Sequence, residues 1–176
     1  MMLSRKQKII SVVVVVAIIV ILVRLFIFES FFVSGDSMAP TILSGDLVFV
    51  DKMAYWFHQP ARGDIIVVVP RVYDGNIIKR VIALPGEIFD IENGKIVIKQ
   101  SRDDVGITLD ESYLMVSTTP EIGTTLYNVD PDEYFVLGDN RDVSIDSREL
   151  GPVDLWSIKG KVFLIFSFIR MRFIKV

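Results

Sequence analysis

The stretch Ile88-Phe89-Asp90-Ile91-Glu92-Asn93-Gly94-Lys95-Ile96-Val97-Ile98 sets two short apolar runs on either side of an Asn-Gly pair. A tight two-residue connection needs positive φ at its central positions, and Asn and Gly tolerate that conformation better than other residues. The pair therefore predicts an antiparallel hairpin, with strands over Ile88 to Ile91 and Lys95 to Ile98. Outward from it, Leu47 to Val50, Ile65 to Val69, Asn76 to Leu84, Tyr134 to Leu137 and Val162 to Ile169 read as further strands bounded by turn residues. After the first 30 residues no helical periodicity of comparable length appears. The expected fold class is mainly β, an antiparallel sheet domain preceded by one N-terminal transmembrane helix.

That helix is read from residues 9–28, an apolar run broken only by Ser11 and Arg24 and preceded by Arg5, Lys6 and Lys8 in a basic segment, 1–8. About 20 helical residues cover about 30 Å, the thickness of a bilayer core, and Arg24 is near enough to one end to snorkel its guanidinium to the headgroups. A cleaved signal peptide is the rival. The run is longer than an ordinary signal-peptide core, and Glu29-Ser30-Phe31-Phe32 offers no small-x-small cleavage site, so an uncleaved anchor is favoured. Basic residues before the span, with Glu29 and Asp36 after it, place the amino terminus in the cytoplasm and residues 30–176 on the extracytoplasmic side of a plasma membrane. Partners are then the lipid bilayer and exported chains.

The 176 residues carry a net charge of −3 and a pI near 5.2, with no recognition-helix or zinc-finger pattern, so nucleic acid is not expected as a partner. With no cysteine and one histidine, thiol chemistry and thiolate or histidine-rich metal sites are excluded. Within the domain, residues 100–133 turn polar and acidic and read as an inserted lobe or long loop. The tail Phe163 to Ile169 is apolar but too short for a second span, and fits a final strand lying near the membrane. Tyr55-Trp56-Phe57-His58 is an aromatic segment suited either to a bilayer interface or to core packing.

Three clusters could carry chemistry. Ser37, in Ser34-Gly35-Asp36-Ser37-Met38-Ala39-Pro40-Thr41, follows the span by a few residues; taken alone it is a turn or capping serine. A serine needs a base to become a nucleophile. His58, the one imidazole, has no nearby carboxylate to orient it. Lys79 lies in a β-branched run, where strand alternation puts Ile77, Val81 and Ala83 on its face; desolvation there lowers an ammonium's pKa and makes the neutral amine available as a base. Taken alone, a strand lysine is usually exposed. In the polar loop Gly138-Asp139-Asn140-Arg141-Asp142-Val143-Ser144-Ile145-Asp146-Ser147-Arg148, Asp146 and Arg148 can pair, Arg141 and Asp142 can fix turns, and Ser144 can hydrogen-bond a neutral amine. Its spacing is not that of an EF-hand, and its arginines argue against a calcium site.

Together the clusters resemble one family, the type I signal peptidases or leader peptidases, which are membrane-anchored Ser/Lys-dyad serine endopeptidases. The resemblance rests on Ser37-Met38 with Pro40-Thr41, Gly45-Asp46, Lys79-Arg80-Val81 with Pro85-Gly86-Glu87, and Gly138-Asp139-Asn140-Arg141 with Ser144, Asp146, Ser147-Arg148 and Gly151. It leaves the 100–133 lobe and the carboxyl tail uninformed. It implies that Ser37 attacks the scissile carbonyl and that neutral Lys79 takes its proton and later activates the deacylating water. Ser144 would orient the Lys79 amine, while Asp139 and the Asp146–Arg148 pair support the site.

The oxyanion hole is expected to use the Ser37 backbone N–H and a second, unnamed donor. Some relatives place a hydroxyl two residues before the nucleophile, where this chain has Gly35, and Ser34 is a poor substitute by position. No metal or organic cofactor is implied. The implied substrates are exported preproteins with small residues at the cleavage site, cut to release their N-terminal signal peptides. Two alternatives stand beside this: a self-cleaving Ser/Lys regulator, which leaves the anchor unexplained and lacks a DNA-binding module, and a non-catalytic membrane-tethered β module.

Overall fold

The computed structural model describes residues 4–70, 75–116, 118–121 and 125–176. Helix α1, Arg5–Phe26, starts at a capping box in which Ser4 accepts from the Gln7 amide and Gln7 reaches back to the Ser4 N–H. It is long and apolar enough to cross a membrane. The helix bounds differ from the apolar run at both ends: the basic residues Arg5, Lys6 and Lys8 belong to the helix itself, and Phe28 already opens a strand.

Among the described residues twelve strands follow: β1 Phe28–Phe32, β2 Leu47–Asp51, β3 Ile65–Val68, β4 Ile77–Ala83, β5 Ile88–Glu92, β6 Lys95–Lys99, β7 Ile107–Thr108, β8 Leu126–Asn128, β9 Glu133–Leu137, β10 Val153–Asp154, β11 Ile158–Ser167 and β12 Arg172–Lys175. All pairings are antiparallel. The larger sheet runs β1-β2-β11-β3-β4-β9-β10 with β12 on β11, and the smaller runs β7-β6-β5-β8. Asn93 and Gly94 have φ of 52° and 73° and close the β5–β6 hairpin in the register their identity predicts, Glu92 opposite Lys95.

Residues 100–133 are more than a loop. They add β7 and β8 to the two edges of that hairpin, so the small sheet is built jointly by hairpin and lobe. The last long strand begins at Ile158, four residues before its expected start, and ends at Ser167; the chain then turns back as β12.

Packing follows strand alternation. Ile65, Val67 and Ile78 point into a core shared with Met38, Ile42, Val48, Val50, Val162 and Ile165, while Ile66, Val68 and Val81 face the opposite side with Tyr134 and Val136. Burying Met38 and Ile42, at 1% and 0% exposure, pins the Ser37 segment onto the sheet. A register irregularity between Val81 and Ala83 breaks the alternation of β4. Ala83, expected beside Lys79, therefore joins Ile82, Phe89 and Phe135 in the core between the two sheets.

The outer side of β1, β2, β11 and β12 is aromatic. The Phe163 ring lies 5.6 Å from Phe28 and 6.5 Å from Phe49, Phe166 lies 4.8 Å from Phe173, and Phe32 meets Phe168 at 6.0 Å. Phe32, Phe168, Ile169, Met171 and Phe173 remain exposed. Core packing, one of the two readings of the 55–58 segment, fails for Trp56 and Phe57, which are 65% and 81% exposed; only Tyr55 packs partly inward, its hydroxyl donating to Asp64 at 2.9 Å.

Candidate active site

Ser37 sits in the turn between β1 and β2, half-buried and held from two sides. Its neighbour Met38 is in the core, and its carbonyl accepts the Asn140 N–H at 3.0 Å. Lys79 is on β4 with 2% of its surface exposed. The β4–β9 register pairs Arg80 with Leu137, so one step further brings Gly138 abreast of Lys79. Gly138 is where the loops converge: a Cβ added there would overlap both Ser144 Oγ and the Ser37 carbonyl oxygen. Ser37 and Lys79 line one cleft of about 530 Å³ together with Ser34, Gly35, Asp36, Val143 and Ile145.

Burial dominates the electrostatics of Lys79. Desolvation lowers its pKa from 10.5 to about 8; Arg148 pushes the same way, while Asp146 and Asp139 oppose. Ser144 is 4% exposed, and its Oγ has no hydrogen-bond partner among the described residues. A buried hydroxyl without a partner is costly, which marks Ser144 as a group awaiting one.

The loop after β9 is fixed by charge-assisted bonds. Asp146 accepts the Gly138 N–H at 3.0 Å and both Arg148 Nε and Nη2 at 2.9 Å, while Arg148 Nη2 also donates to the carbonyls of Arg141 and Ser144 at 2.8 and 3.3 Å. Asp139 holds a second junction. It takes Arg80 Nε and Nη2 at 2.8 and 2.6 Å and the Thr41 hydroxyl at 2.5 Å, tying β4, the loop after β9 and the Ser37 turn together. Removing one partner from a buried pair of this kind costs about 3–5 kcal/mol, because the other charge stays buried.

Sequence reasoning missed part of this frame. Arg80 was visible beside Lys79 but had no assigned role, and Arg141, read as a turn residue, is 5% exposed and reaches 30 residues back to Glu111. Asp142, grouped with it, is exposed. Thr41 carried a signal only as part of its motif. His58 is exposed in a turn and does not line the cleft. Ser34, set aside on its position, does line it. The Ser37 N–H bonds to no other described residue. Among the described residues no group of three or more His, Asp and Glu side chains is placed to hold a metal ion.

Residues 6–167 match the family model described as signal peptidase, peptidase S26. The chain belongs to the signal peptidase family. It is 36% identical over 165 residues to a probable signal peptidase I-1 of Synechocystis, covering 89% of this chain and 80% of that one. Signal peptidase I P of Bacillus subtilis subsp. natto is 34% identical, with 91% and 88% of the two chains covered. A crystal structure of a signal peptidase I from Enterococcus faecalis is similar with a TM-score of 0.50 and 31% identity, over 59% of this chain and 97% of that one. The antiparallel β fold is thus the fold of this signal peptidase family.

Proposed function

We propose that this chain is a membrane-anchored serine endopeptidase that removes N-terminal signal peptides from exported preproteins with a Ser37–Lys79 dyad. One observation carries the dyad: a lysine 2% exposed, with its pKa lowered to about 8, lines the same cleft as a half-buried serine. Membership of the signal peptidase family supports the reaction class. Ser37 Oγ attacks the scissile carbonyl as neutral Lys79 takes its proton. Lys79 then passes that proton to the leaving amine, and in the second half activates the water that hydrolyses the acyl-enzyme.

Ser144, whose buried Oγ has no partner among the described residues, is the hydroxyl that orients the Lys79 amine during the reaction, and Asp139, Asp146 and Arg148 hold the loops. The Ser37 N–H stabilises the oxyanion, with the Ser34 hydroxyl on the cleft wall a candidate second donor. The substrates in this reading carry small side chains at the first and third positions before the cut. The test is incubation of the detergent-solubilised protein with a preprotein and sequencing of the new amino terminus. A cut after a small-x-small motif is expected, and an intact preprotein contradicts the proposal.

The apolar helix and the aromatic outer face support a location at the membrane. Helix α1 spans the bilayer with Arg5, Lys6 and Lys8 in the cytoplasm, and Phe32, Phe168 and Phe173 rest at the outer membrane–water boundary, where aromatic rings are favoured. Protease added outside spheroplasts is expected to digest the domain after Phe28. A domain protected until the membrane is permeabilised would reverse the orientation.

A further inference from the structure

We propose that Glu111 and Tyr113, in the lobe between β6 and β8, are positioning residues for the reaction: they lock the two arginines that flank the Ser37–Lys79 pair. The proposal rests on the dyad reading and gives the lobe a role in it.

Arg141 is one of those arginines. Its Nε donates to the Gly138 carbonyl at 3.0 Å, and its Nη1 and Nη2 fork onto the Glu111 carboxylate at 3.2 and 2.5 Å; Nη1 also donates to the Thr119 hydroxyl. The bonds to the Gly138 carbonyl and the Glu111 carboxylate thus come from one rigid planar group, so the lobe fixes where Gly138 lies. Arg80, directly after Lys79, is the other. The Tyr113 ring stacks 4.0 Å from its guanidinium carbon, while Asp139 holds the same guanidinium through Nε and Nη2. The Tyr113 hydroxyl donates to Glu111 at 2.7 Å, which joins the two contacts into one clamp.

The two ends of this network are the residue following the candidate base and the loop that carries Ser144, so what it fixes is the geometry of the reacting groups. That same loop bonds the carbonyl of Ser37 through Asn140. Without Glu111, Arg141 is a buried cation free to seek another acceptor, and Gly138, packed against Ser144 Oγ and the Ser37 carbonyl, moves with it. Small displacements at reacting groups cost rate rather than affinity, because substrate contacts elsewhere in the cleft persist.

The experiment is steady-state cleavage of a signal-peptide substrate by full-length Glu111→Ala, Glu111→Gln, Tyr113→Phe and Tyr113→Leu, each with a thermal melt to fix the folded fraction, beside wild type and Ser37→Ala. Glu111→Ala is expected to lower kcat per folded molecule about 10- to 100-fold with KM within about twofold of wild type. Glu111→Gln, which keeps one acceptor, restores part of that loss, and Tyr113→Phe loses less than Tyr113→Leu. Should Glu111→Ala not fold, the Gln and Leu variants carry the same comparison. Wild-type kcat per folded molecule in the Glu111 and Tyr113 variants, with Ser37→Ala inactive, overturns the positioning role alone. Cleavage retained by Ser37→Ala overturns it together with the dyad.

Discussion

Replacing Ser37 with alanine lowers cleavage of a preprotein by about three to four orders of magnitude or more, while folding and membrane insertion stay as in wild type. The expectation follows from what the side chain does in each context. Ser37 Oγ holds no hydrogen bond to another described residue, and the turn is secured by Met38 in the core and by the Ser37 carbonyl, both kept in the variant. Only the nucleophile is lost. What remains is binding and whatever stabilisation the backbone N–H offers an oxyanion, which leaves a residual rate far below that of the intact pair. Quantitative cleavage assays paired with a thermal melt decide the matter. Cleavage within about tenfold of wild type by a folded Ser37→Ala protein would remove Ser37 from the reaction.

Lys79→Arg produces a loss of the same order, for a different reason. A guanidinium stays protonated at any pH the fold survives, so it cannot take a proton from Ser37. Its bulk must also fit where burial leaves 2% of the lysine exposed. Lys79→Ala separates the two effects: it removes the base without forcing a charge into the β4–β9 ladder, and it too should be inactive. Lys79→His retains a trace only if the ring reaches Ser37. Single-turnover cleavage by all three variants is the check, and near-normal turnover by Lys79→Arg would return attention to His58 despite its exposure on the surface.

How far the sequence carried depends on the range of each interaction. The β5–β6 hairpin is local, and two residues with positive φ were enough to predict it. The burial of Lys79 was legible because a cation in a β-branched run is out of keeping with its neighbours, and Ile77 and Val81 do share its side of β4. Ala83 was misplaced, since alternation assumes an unbroken ladder and the irregularity after Val81 is set by pairing with β9.

Two-residue strands such as β7 and β10 carry too little periodicity to be read, and exist because longer neighbours offer them an edge. Strand β1 was hidden because its phenylalanines continue the apolar run of the span. The clamp of Glu111 on Arg141 joins residues 30 apart through a segment whose composition suggests only a solvated loop. No local pattern announces such a pair.

The central claim is that a neutral Lys79 activates Ser37, and the pH dependence of single-turnover cleavage by the wild-type protein tests it most directly. With a pKa lowered to about 8, mainly by burial, Lys79 is charged at low pH and idle as a base; about a tenth of it is neutral at pH 7, and most of it above pH 9. The rate is therefore predicted to rise about tenfold per pH unit below 8 and to level off above it, with stability monitored at each pH. A rate that is flat from pH 6 to 9, or one that levels off near pH 6.5 as a histidine would dictate, contradicts the dyad.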